Sequence, residues 1–367
     1  MKIMKTPKDM DLAITNRCNL RCSYCSHFSG PGDVDHDLPQ DEWLKFFEEL
    51  NRCAVLKVTL QGGEPFIRKD IKTLIRSIVK NRMRFGILTN GTLITEDMAD
   101  FLASTGRCNY VQVSIDGSTS DIHDSCRGDG NFFKAVEGLK NLRDHKVNVT
   151  VRVTIHRHNV NDLEEIARLL LEEIGIPGFS TNAASHLGLC RQHADDIQLT
   201  VDEHSLAMKT LLKLNKKYNG RITAEAGPLA HAERWVEMER ARREGRKAMP
   251  DRGYLKGCGG VFNKMAVRAD GVMIPCIQMS HIELGQINKD DLRTVWQDQP
   301  ELRRLRERQD VPLSQFEFCK GCEYTSYCTG NCPAISYTML GKDNHPSPDA
   351  CLRRFLENGG ELPDDIR

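Results

Sequence analysis

The stretch DLAITNRCNLRCSYC, residues 11–25, joins a short apolar strand to three cysteines at intervals of four and three residues. Cys18, Cys22 and Cys25 follow the strand directly, so they should lie on the loop at its carboxyl end. A structural zinc site is closed by four ligands, whereas three thiolates in one loop can hold three irons of a cubane cluster and leave the fourth iron open. The next cysteine is Cys53, so the loop predicts a cluster with a vacancy for a chelating ligand.

The first half of the chain alternates predicted strands with predicted helices. Apolar runs alternate with longer amphipathic stretches, which predicts a parallel sheet with helices outside it, either a barrel or an open doubly wound sheet. In both architectures ligands gather at the carboxyl ends of the strands, and the segments QGGEP, LTNGT and SIDG fall there. We predict strands at residues 11–15, 56–63, 85–91, 111–117, 147–155 and 178–184, and helices at residues 41–53, 69–81, 95–105, 131–144 and 161–175.

Composition excludes several classes of protein. Lysine plus arginine equals aspartate plus glutamate at 51 each, so no net field favours nucleic acid or an acidic membrane surface. The first residues are polar, and no run approaches the roughly 18 apolar residues of a membrane span. We therefore expect a cytoplasmic protein without nucleic-acid or membrane partners. Its 14 cysteines are then metal ligands or reactive thiols, because a reducing cytoplasm disfavours disulfides.

The second half of the chain has a different character. Thr200 and Glu203 predict a capping box at the start of a helix. The densely charged residues 231–252 are interpreted as a solvated helix face, to which we assign no function. Beyond Leu255 the chain has little periodicity but seven of the 14 cysteines. Such a region usually gains its stability from bound metal, because metal binding there is coupled to folding.

The three-cysteine loop resembles a known family. The motif CxxxCxxC, with Tyr24 before its last cysteine and a first strand ahead of it, is similar to that of the radical S-adenosylmethionine superfamily. The resemblance implies that the open iron of a 4Fe-4S cluster is chelated by the methionine moiety of S-adenosylmethionine. It also implies that the reduced cluster cleaves this cofactor to methionine and a 5'-deoxyadenosyl radical, which abstracts hydrogen from a substrate.

Motifs after the later strands resemble the cofactor site of the same family. The GGEP segment should receive the methionine amino group, since glycines let the backbone approach a ligand closely. Ser114 and Arg127 should hold the methionine carboxylate, a natural use of a guanidinium fork, and Asn90 and Asp116 should lie near the ribose. The implied cofactor-binding residues are Tyr24, Gly62, Gly63, Glu64, Pro65, Asn90, Ser114, Asp116 and Arg127.

The spacing of the later cysteines resembles the SPASM domain, a cap that binds two auxiliary iron-sulfur clusters in this superfamily. We expect both clusters to be 4Fe-4S, and a chain of clusters can carry an electron away from a substrate radical. A pair of zinc sites is the alternative. The implied ligands are Cys319, Cys322, Cys328 and Cys351 for the outer cluster, and Cys258, Cys276 and Cys332 for the inner one.

The inner site is one thiolate short. In the sulfatase-maturing members another cysteine soon after the first completes it, but the stretch CGGVFNKM, residues 258–265, has none. The inner cluster could expose an iron to substrate, contain two irons, or recruit a remote ligand such as Cys190. Those members also carry an aspartate base where Ile277 follows Cys276 here, so the sequence does not predict their activity.

The resemblance covers nearly the whole chain and implies an α/β fold, a partial (β/α)6 TIM-like barrel with a C-terminal cysteine-rich SPASM cap. We expect the radical S-adenosylmethionine barrel at residues 1–185, a bridging helical segment at 186–254 and the SPASM domain at 255–367. Because the cluster loop starts at residue 18, any leader peptide would need a separate recognition protein, or none. An electron donor such as flavodoxin or ferredoxin is also implied.

Three hypotheses of function follow. Many members of the family modify ribosomally made peptides or protein side chains, which favours oxidation, cross-linking or epimerisation of a peptide. The rival is a dehydrogenase or epimerase of a small molecule such as an amino sugar or alcohol. The third is a non-catalytic metal-binding scaffold, against which the intact cofactor motifs argue. Candidate hydrogen donors, acids and bases, each of which could instead be a packed or ordinary loop residue, are Cys126, Cys190, His186, His193 and Asp195.

Overall fold

The computed structural model describes residues 3–30, 33–256 and 259–363. Within these ranges one mixed sheet carries the fold, in the order β10-β9-β8-β1-β2-β3-β4-β5-β6-β7. Every neighbouring pair from β8 through β1 to β7 is parallel, whereas β9 pairs antiparallel with both β8 and β10. The strands are Asp9–Thr15 (β1), Lys57–Gly62 (β2), Arg84–Thr89 (β3), Cys108–Ser114 (β4), Val149–Ile155 (β5), Phe179–Ala183 (β6), Ile222–Ala224 (β7), Lys264–Val267 (β8), Val272–Ile274 (β9) and Gly285–Gln286 (β10).

The α-helices alternate with the strands in the first half and dominate the second. The last predicted helix of the barrel begins as an α-helix at Leu163–Arg168 and continues as a π-helical segment at Leu169–Glu173. The helices are Gln40–Arg52 (α1), Ile71–Lys80 (α2), Glu96–Ser104 (α3), Ser120–Arg127 (α4), Asn131–Asp144 (α5), Leu163–Arg168 (α6), Gly188–Gln192 (α7), Ala194–Ile197 (α8), Val201–Lys217 (α9), Pro228–Arg243 (α10), Gly260–Asn263 (α11), Leu292–Asp298 (α12), Pro300–Glu307 (α13), Pro333–Leu340 (α14) and Leu352–Glu357 (α15).

The predicted partial barrel is confirmed, with consecutive parallel strands β1 to β6 and helices covering their outer face. Successive side chains of a strand point to opposite faces. In β4 the apolar Val111 and Val113 are fully buried against the helix layer, while Gln112 and Ser114 alternate with them on the inner face. Polar side chains therefore line the inside of the barrel near the carboxyl ends of the strands.

Both edges of this sheet are extended by later parts of the chain, which the sequence did not predict. Strand β7 pairs with β6 on one edge. On the other edge β8, from the cysteine-rich tail, pairs with β1 and aligns Asp9 with Lys264 and Leu12 with Val267. The Lys264 ammonium lies 2.9 Å from an Asp11 carboxylate oxygen across this pair. The tail thus shares the sheet with the barrel.

A second, smaller core joins the bridge to the tail. Trp235 and Met238 of α10 pack there with Tyr324 and Phe355. The interpretation of residues 231–252 as a solvated face is therefore wrong for one side of α10, whose apolar positions are covered by the tail. At the start of α9 the predicted capping box is confirmed, with both of its hydrogen bonds formed.

The predicted segment 186–254 is mainly helical but also supplies β7, and the segment 255–367 supplies β8 to β10. The three segment boundaries remain predictions. Cys258 lies outside the described residues. In the part of the chain that the structure describes, no helix combines the length and apolar character needed to cross a membrane.

Candidate active site

The three thiols of the loop, on Cys18, Cys22 and Cys25, meet at one space beyond the end of β1. This space, the proximal cavity, has a volume of about 430 Å³. The N–H of Cys25 donates to the Cys22 carbonyl at 3.0 Å, and the N–H of Leu20 points at the Cys18 sulfur at 3.4 Å. Burial raises the pKa of Cys22 to about 11 and also raises that of Cys18. Metal binding here would therefore release protons from the thiols. Other residues that line the cavity are Gly63, Asn90, Ser114, Arg127 and Asn182.

The entry into the loop is held by Asp37, which the sequence analysis did not single out. One oxygen of its carboxylate accepts the Thr15 hydroxyl at 2.6 Å and the Arg17 Nε–H at 3.0 Å. The other oxygen accepts the Asn16 N–H at 2.6 Å. These bonds fix the last residue of β1 and the two residues between this strand and the first thiol. No local pattern marks Asp37, because its partners lie about twenty positions earlier.

The glycines after β2 let two loops touch. The N–H of Gly63 donates to the Thr15 carbonyl at 2.9 Å, and the next N–H, of Glu64, donates to the Arg17 carbonyl at 2.8 Å. A Cβ on Gly63 would lie 2.1 Å from the Arg17 carbonyl oxygen, and one on Gly62 would lie 2.1 Å from that of Thr15. Only glycine permits this approach, so the GGEP segment is pressed against the thiol loop.

Glu64 lies behind the cavity wall and is fully buried. One carboxylate oxygen accepts the Thr89 hydroxyl at 2.8 Å and the Phe66 N–H at 3.2 Å, and the other accepts the Asn90 N–H at 2.7 Å. Burial raises the pKa of Glu64 to about 7, although the three hydrogen-bond donors each act to lower it. Glu64 thereby ties the loop after β2 to the end of β3 and positions Asn90.

Asp116 is the centre of a second buried network, in which its carboxylate accepts the Arg127 Nε–H at 2.5 Å and the N–H of Thr154 at 2.7 Å. The Tyr24 hydroxyl donates to it as well. Burial alone would raise the pKa of Asp116, but Arg127 above all outweighs it and the pKa is lowered. Burial likewise opposes the charge of Arg127, and Asp116 and Tyr24 outweigh it, so the pKa of Arg127 is raised. The pair is therefore charged, with Arg127 at the cavity wall and 4.0 Å from the Cys22 sulfur.

The structure divides the predicted cofactor-binding residues into two groups. Pro65 is buried at the start of a short helical turn, and Glu64 and Asp116 are fully buried behind the wall. Asn90 lies beside the loop, since its amide donates to Asn19 at 3.0 Å and is 3.8 Å from the Cys18 sulfur. The residues that line the proximal cavity are Tyr24, Gly62, Gly63, Asn90, Ser114 and Arg127.

A second space adjoins the first. This distal cavity, of about 480 Å³, lies between the end of β6, the first turns of α10 and the tail. It shares with the proximal cavity a wall that includes Ser185, Cys332 and Ile335. The exposed residues Glu225 and Lys256 also line it, so it opens to solvent. The two cavities therefore lie side by side, one against the thiol loop and the other open to solvent.

The four tail cysteines assigned to an outer cluster are brought together. They border one small pocket that Leu352 and Tyr324 also line. Burial first, and next the nearby sulfurs of Cys328, Cys322 and Cys351, raise the pKa of Cys319 to about 12. Within the described ranges no three His, Cys, Asp or Glu side chains form a site for a single metal ion.

The cysteines assigned to an inner cluster are described in part. Cys276 is half-buried against the main core, and Cys332 is exposed at the wall between the two cavities. Two residues after Cys276, the Gln278 amide donates to the Ser26 hydroxyl at 3.2 Å. That bond places this part of the tail beside the thiol loop.

The candidate catalytic residues fall into two groups. Cys126 and Cys190 are buried in a small cluster with Tyr24, and burial raises the pKa of Cys190 to about 12. Cys190 packs there as an apolar group. His193 and Asp195 are exposed, and His186 is half-buried.

Asn182 is a site residue that the sequence analysis missed. It is at the carboxyl end of β6 and lines the proximal cavity. Its amide oxygen is buried and has no hydrogen-bond partner among the described residues, although buried polar atoms are normally satisfied. The alternation of Ser180 and Asn182 with Phe179 and Thr181 in FSTNA was the available signal, because it places a polar side chain inside the barrel.

These features fit an iron-sulfur cluster and a polar cofactor. The donor set of the loop is three thiols, which suits iron. Because Gly63 has no side chain, its backbone lies directly against the thiol loop at Arg17. The buried cation of Arg127 can donate hydrogen bonds to the negative end of a zwitterion, and the unsatisfied oxygen of Asn182 can accept one from its positive end.

A parallel sheet with a three-thiol loop at the end of its first strand, together with a tail that gathers further thiols, defines a class of iron-sulfur enzymes. Two sequence profiles match the chain: the Radical SAM superfamily over residues 12–170, and the SPASM iron-sulfur cluster-binding domain over residues 258–323. The chain belongs to the radical S-adenosylmethionine superfamily and is an enzyme of its SPASM subgroup. Proteins of this kind bind S-adenosylmethionine, a 4Fe-4S cluster and auxiliary iron-sulfur clusters.

The relatives that the chain resembles include a heme synthase and a peptide cyclase. The chain is 27% identical to an AdoMet-dependent heme synthase of Methanosarcina barkeri, over 91% of this chain and 93% of the relative. It is 26% identical to a PqqA peptide cyclase of Ruegeria pomeroyi, over 95% of this chain and 87% of the relative. The fold is similar to that of SuiB from Streptococcus suis bound to the precursor peptide SuiA, with a TM-score of 0.72, 17% identity and coverage of 95% of this chain and 77% of SuiB.

Proposed function

We propose that this enzyme removes hydrogen from a side chain of a peptide or protein and so oxidises, cross-links or epimerises it. The observation that carries the proposal is the pair of adjacent cavities, of which one is open to solvent and the other contains the thiol loop in its wall. A segment of peptide can enter through the distal cavity while one residue reaches the proximal one. The similarity to PqqA peptide cyclases is further support.

We assign the first cluster to Cys18, Cys22 and Cys25. S-adenosylmethionine on this reduced cluster would supply the radical that abstracts hydrogen. The chain's own residues bind and orient it: Arg127, held charged by Asp116, offers guanidinium N–H groups to a carboxylate. The backbone at Gly62 and Gly63 and the free oxygen of Asn182 can accept an ammonium group.

We assign the outer auxiliary cluster to the four cysteines that share a pocket, and the inner one to three thiols at the junction of the cavities. The exposed position of Cys332 on their common wall supports a place for the inner cluster beside the substrate. A cluster there can accept an electron from a substrate radical. The outer set is Cys319, Cys322, Cys328 and Cys351, and the inner set is Cys258, Cys276 and Cys332.

The electron needed to start the reaction would come from a separate donor such as flavodoxin or ferredoxin. We propose that the enzyme acts in the cytoplasm. A reducing compartment suits 14 cysteines that serve as cluster ligands or buried thiols. A separate recognition protein for the peptide is compatible with the open distal cavity.

A heme precursor is a second candidate substrate, since the similarity to an AdoMet-dependent heme synthase is as high as that to the peptide cyclases. Other small molecules, such as an amino sugar or alcohol, belong to the same alternative, because each of them would survive a protease that destroys peptides.

The test uses anaerobically reconstituted protein with reductant, S-adenosylmethionine and cell extract, and measures 5'-deoxyadenosine. We expect the extract to stimulate its formation and protease pretreatment of the extract to remove that stimulation. The variant Cys22→Ala is the control for cleavage unrelated to the site and should form none. Stimulation that survives protease would reject the peptide proposal and favour a small molecule.

A further inference from the structure

The distal cavity carries more positive than negative side chains. Arg234, Arg252 and Lys256 line it, against Glu225 and Asp349. Arg234 lies on α10 and Arg252 follows that helix, so both belong to the charged stretch to which the sequence analysis gave no function. Both are half-buried, and a half-buried guanidinium normally has a carboxylate partner.

Neither guanidinium has such a partner among the residues that the structure describes. Arg234 donates only to the backbone carbonyls of Ala230 and Glu225, at 3.2 and 3.3 Å. Arg252 makes no hydrogen bond to a described residue, and no described carboxylate is within ion-pair distance of either arginine. Each retains N–H donors that are free for a ligand in the cavity, because a guanidinium carries five.

The two arginines are also close to each other. Burial, and next the charge of Arg252, lower the pKa of Arg234. The backbone holds Arg252 in this place, since the N–H of Gly253 donates to the Cys328 carbonyl at 2.9 Å and that of Lys256 to the Thr329 carbonyl at 3.0 Å. Two like charges that line one cavity, with no carboxylate of the described ranges within ion-pair distance of either, form a site that an anion would stabilise.

We propose that Arg234 and Arg252 bind a carboxylate of the substrate in the distal cavity, and that the substrate is therefore a peptide that presents a carboxylate there. This inference rests on the proposed function and narrows its substrate class. A carboxylate bound there would anchor one end of the peptide, while the shared wall at Ser185 and Cys332 leads the rest toward the proximal cavity. The carboxylate could belong to an acidic side chain or to the C-terminus of the peptide.

Binding of three dansyl-labelled peptides to the reconstituted enzyme, followed by fluorescence anisotropy, tests the proposal. The first is GEAEG with an amidated C-terminus, the second is GQAQG amide, and the third is GQAQG with a free C-terminus. We expect the first or the third to bind at least about tenfold more tightly than the neutral amide. Which of the two does so identifies the source of the carboxylate.

Variants locate the effect. The double variant Arg234→Gln with Arg252→Gln should abolish the preference. The double variant Arg234→Lys with Arg252→Lys should keep part of it, because lysine retains the positive charge but lacks the forked N–H donors of a guanidinium. The matched control is Arg240→Gln with Lys247→Gln, which removes the same charge from exposed positions and should keep the full preference. Since Arg252 makes no hydrogen bond to a residue that the structure describes, Arg252→Gln alone should fold normally and weaken the preference.

Equal binding of all three peptides, no binding of any, or a preference that survives in the double Gln variant would overturn the proposal. Failure of the proposed function is separate from this result. An enzyme that forms 5'-deoxyadenosine but does not prefer peptides with a carboxylate would contradict the carboxylate site alone. One that prefers peptides with a carboxylate but cleaves no S-adenosylmethionine would contradict the proposed function alone.

Discussion

At the scale of single residues, the proximal cavity depends on charges that are buried in pairs. Asp116 is fully buried and accepts from Arg127, Tyr24 and the Thr154 backbone. A buried guanidinium without its carboxylate would be strongly destabilising. Asp116 thus acts as a positioning residue, which keeps Arg127 charged at the cavity wall.

Replacing Asp116 with Asn should lower the free energy of unfolding by about 3–5 kcal/mol, because Arg127 would remain charged without its partner. Urea unfolding of the purified protein would measure the loss. The control is Asp270→Asn, which removes one partner of Arg268 but leaves it Glu283 at 2.9 Å. A loss no larger for Asp116→Asn than for this control would contradict the assigned role.

Replacing Gly63 with Ala should reduce 5'-deoxyadenosine formation by about 100-fold, since small misplacements of a reacting group have effects of this order. The added Cβ would stand 2.1 Å from the Arg17 carbonyl oxygen, so the thiol loop has to move. Gly106→Ala is the control: it introduces strain at a φ of +60°, but its Cβ would meet no atom within 4 Å. Near wild-type activity of Gly63→Ala would refute the close contact between the two loops.

At the scale of elements, two histidines join α9 to α10 at the distal cavity. The Nδ1 of His231 lies 3.1 Å from the Nε2 of His204, and both rings stack with Trp235. Burial lowers the pKa of His204 to about 4 and that of His231 well below its ordinary value. Both are neutral when folded at pH 6, whereas an unfolded histidine has a pKa of about 6.5.

The unfolded chain therefore binds more protons than the folded one below pH 6.5, and stability should fall as the pH drops from about 6.5 toward 4. The double variant His204→Gln with His231→Gln should reduce the loss of unfolding free energy between pH 6.5 and 5 by about 3 kcal/mol. Unfolding free energies across that range would measure it, with the exposed His193→Gln as control. An unchanged slope in the double variant would contradict the neutral pair.

Elements with a strong local signal could be predicted from the sequence. The alternation of apolar and amphipathic runs located β1 to β6 and their helices, and Thr200 with Glu203 located the start of α9. The burial of one side of α10 could not be predicted, because its covering residues come from the tail. Strand β7, Ile222–Ala224, is too short to show a period of its own.

At the scale of the whole molecule, barrel and tail form one structure. Strand β8 of the tail extends the sheet beside β1, and Gln278 contacts Ser26 of the thiol loop. These contacts join residues more than 250 positions apart, so no local pattern predicts them. Of the site, the thiols could be predicted from their spacing and the glycines from the family resemblance. Asp37 depends on partners about twenty positions earlier, and the only signal for Asn182 was the alternation of polar and apolar residues in FSTNA.

The assignment of three clusters predicts roughly twelve iron ions per reconstituted chain, four for each cluster. Replacing the three loop cysteines with Ala should remove about four of them, and replacing Cys319 and Cys322 should remove about four others. Iron and sulfide analysis would measure both changes, and an inner cluster of two irons would give about ten in the wild type. About four iron ions per wild-type chain would contradict the assignment.

The most direct test of the central claim is whether the reduced, reconstituted protein forms 5'-deoxyadenosine from S-adenosylmethionine. We predict that the wild type forms it and that Cys22→Ala, which leaves the tail cysteines intact, does not. Absence of 5'-deoxyadenosine from a wild-type protein with its full complement of iron and sulfide would contradict the account, and the chain would then be a metal-binding scaffold.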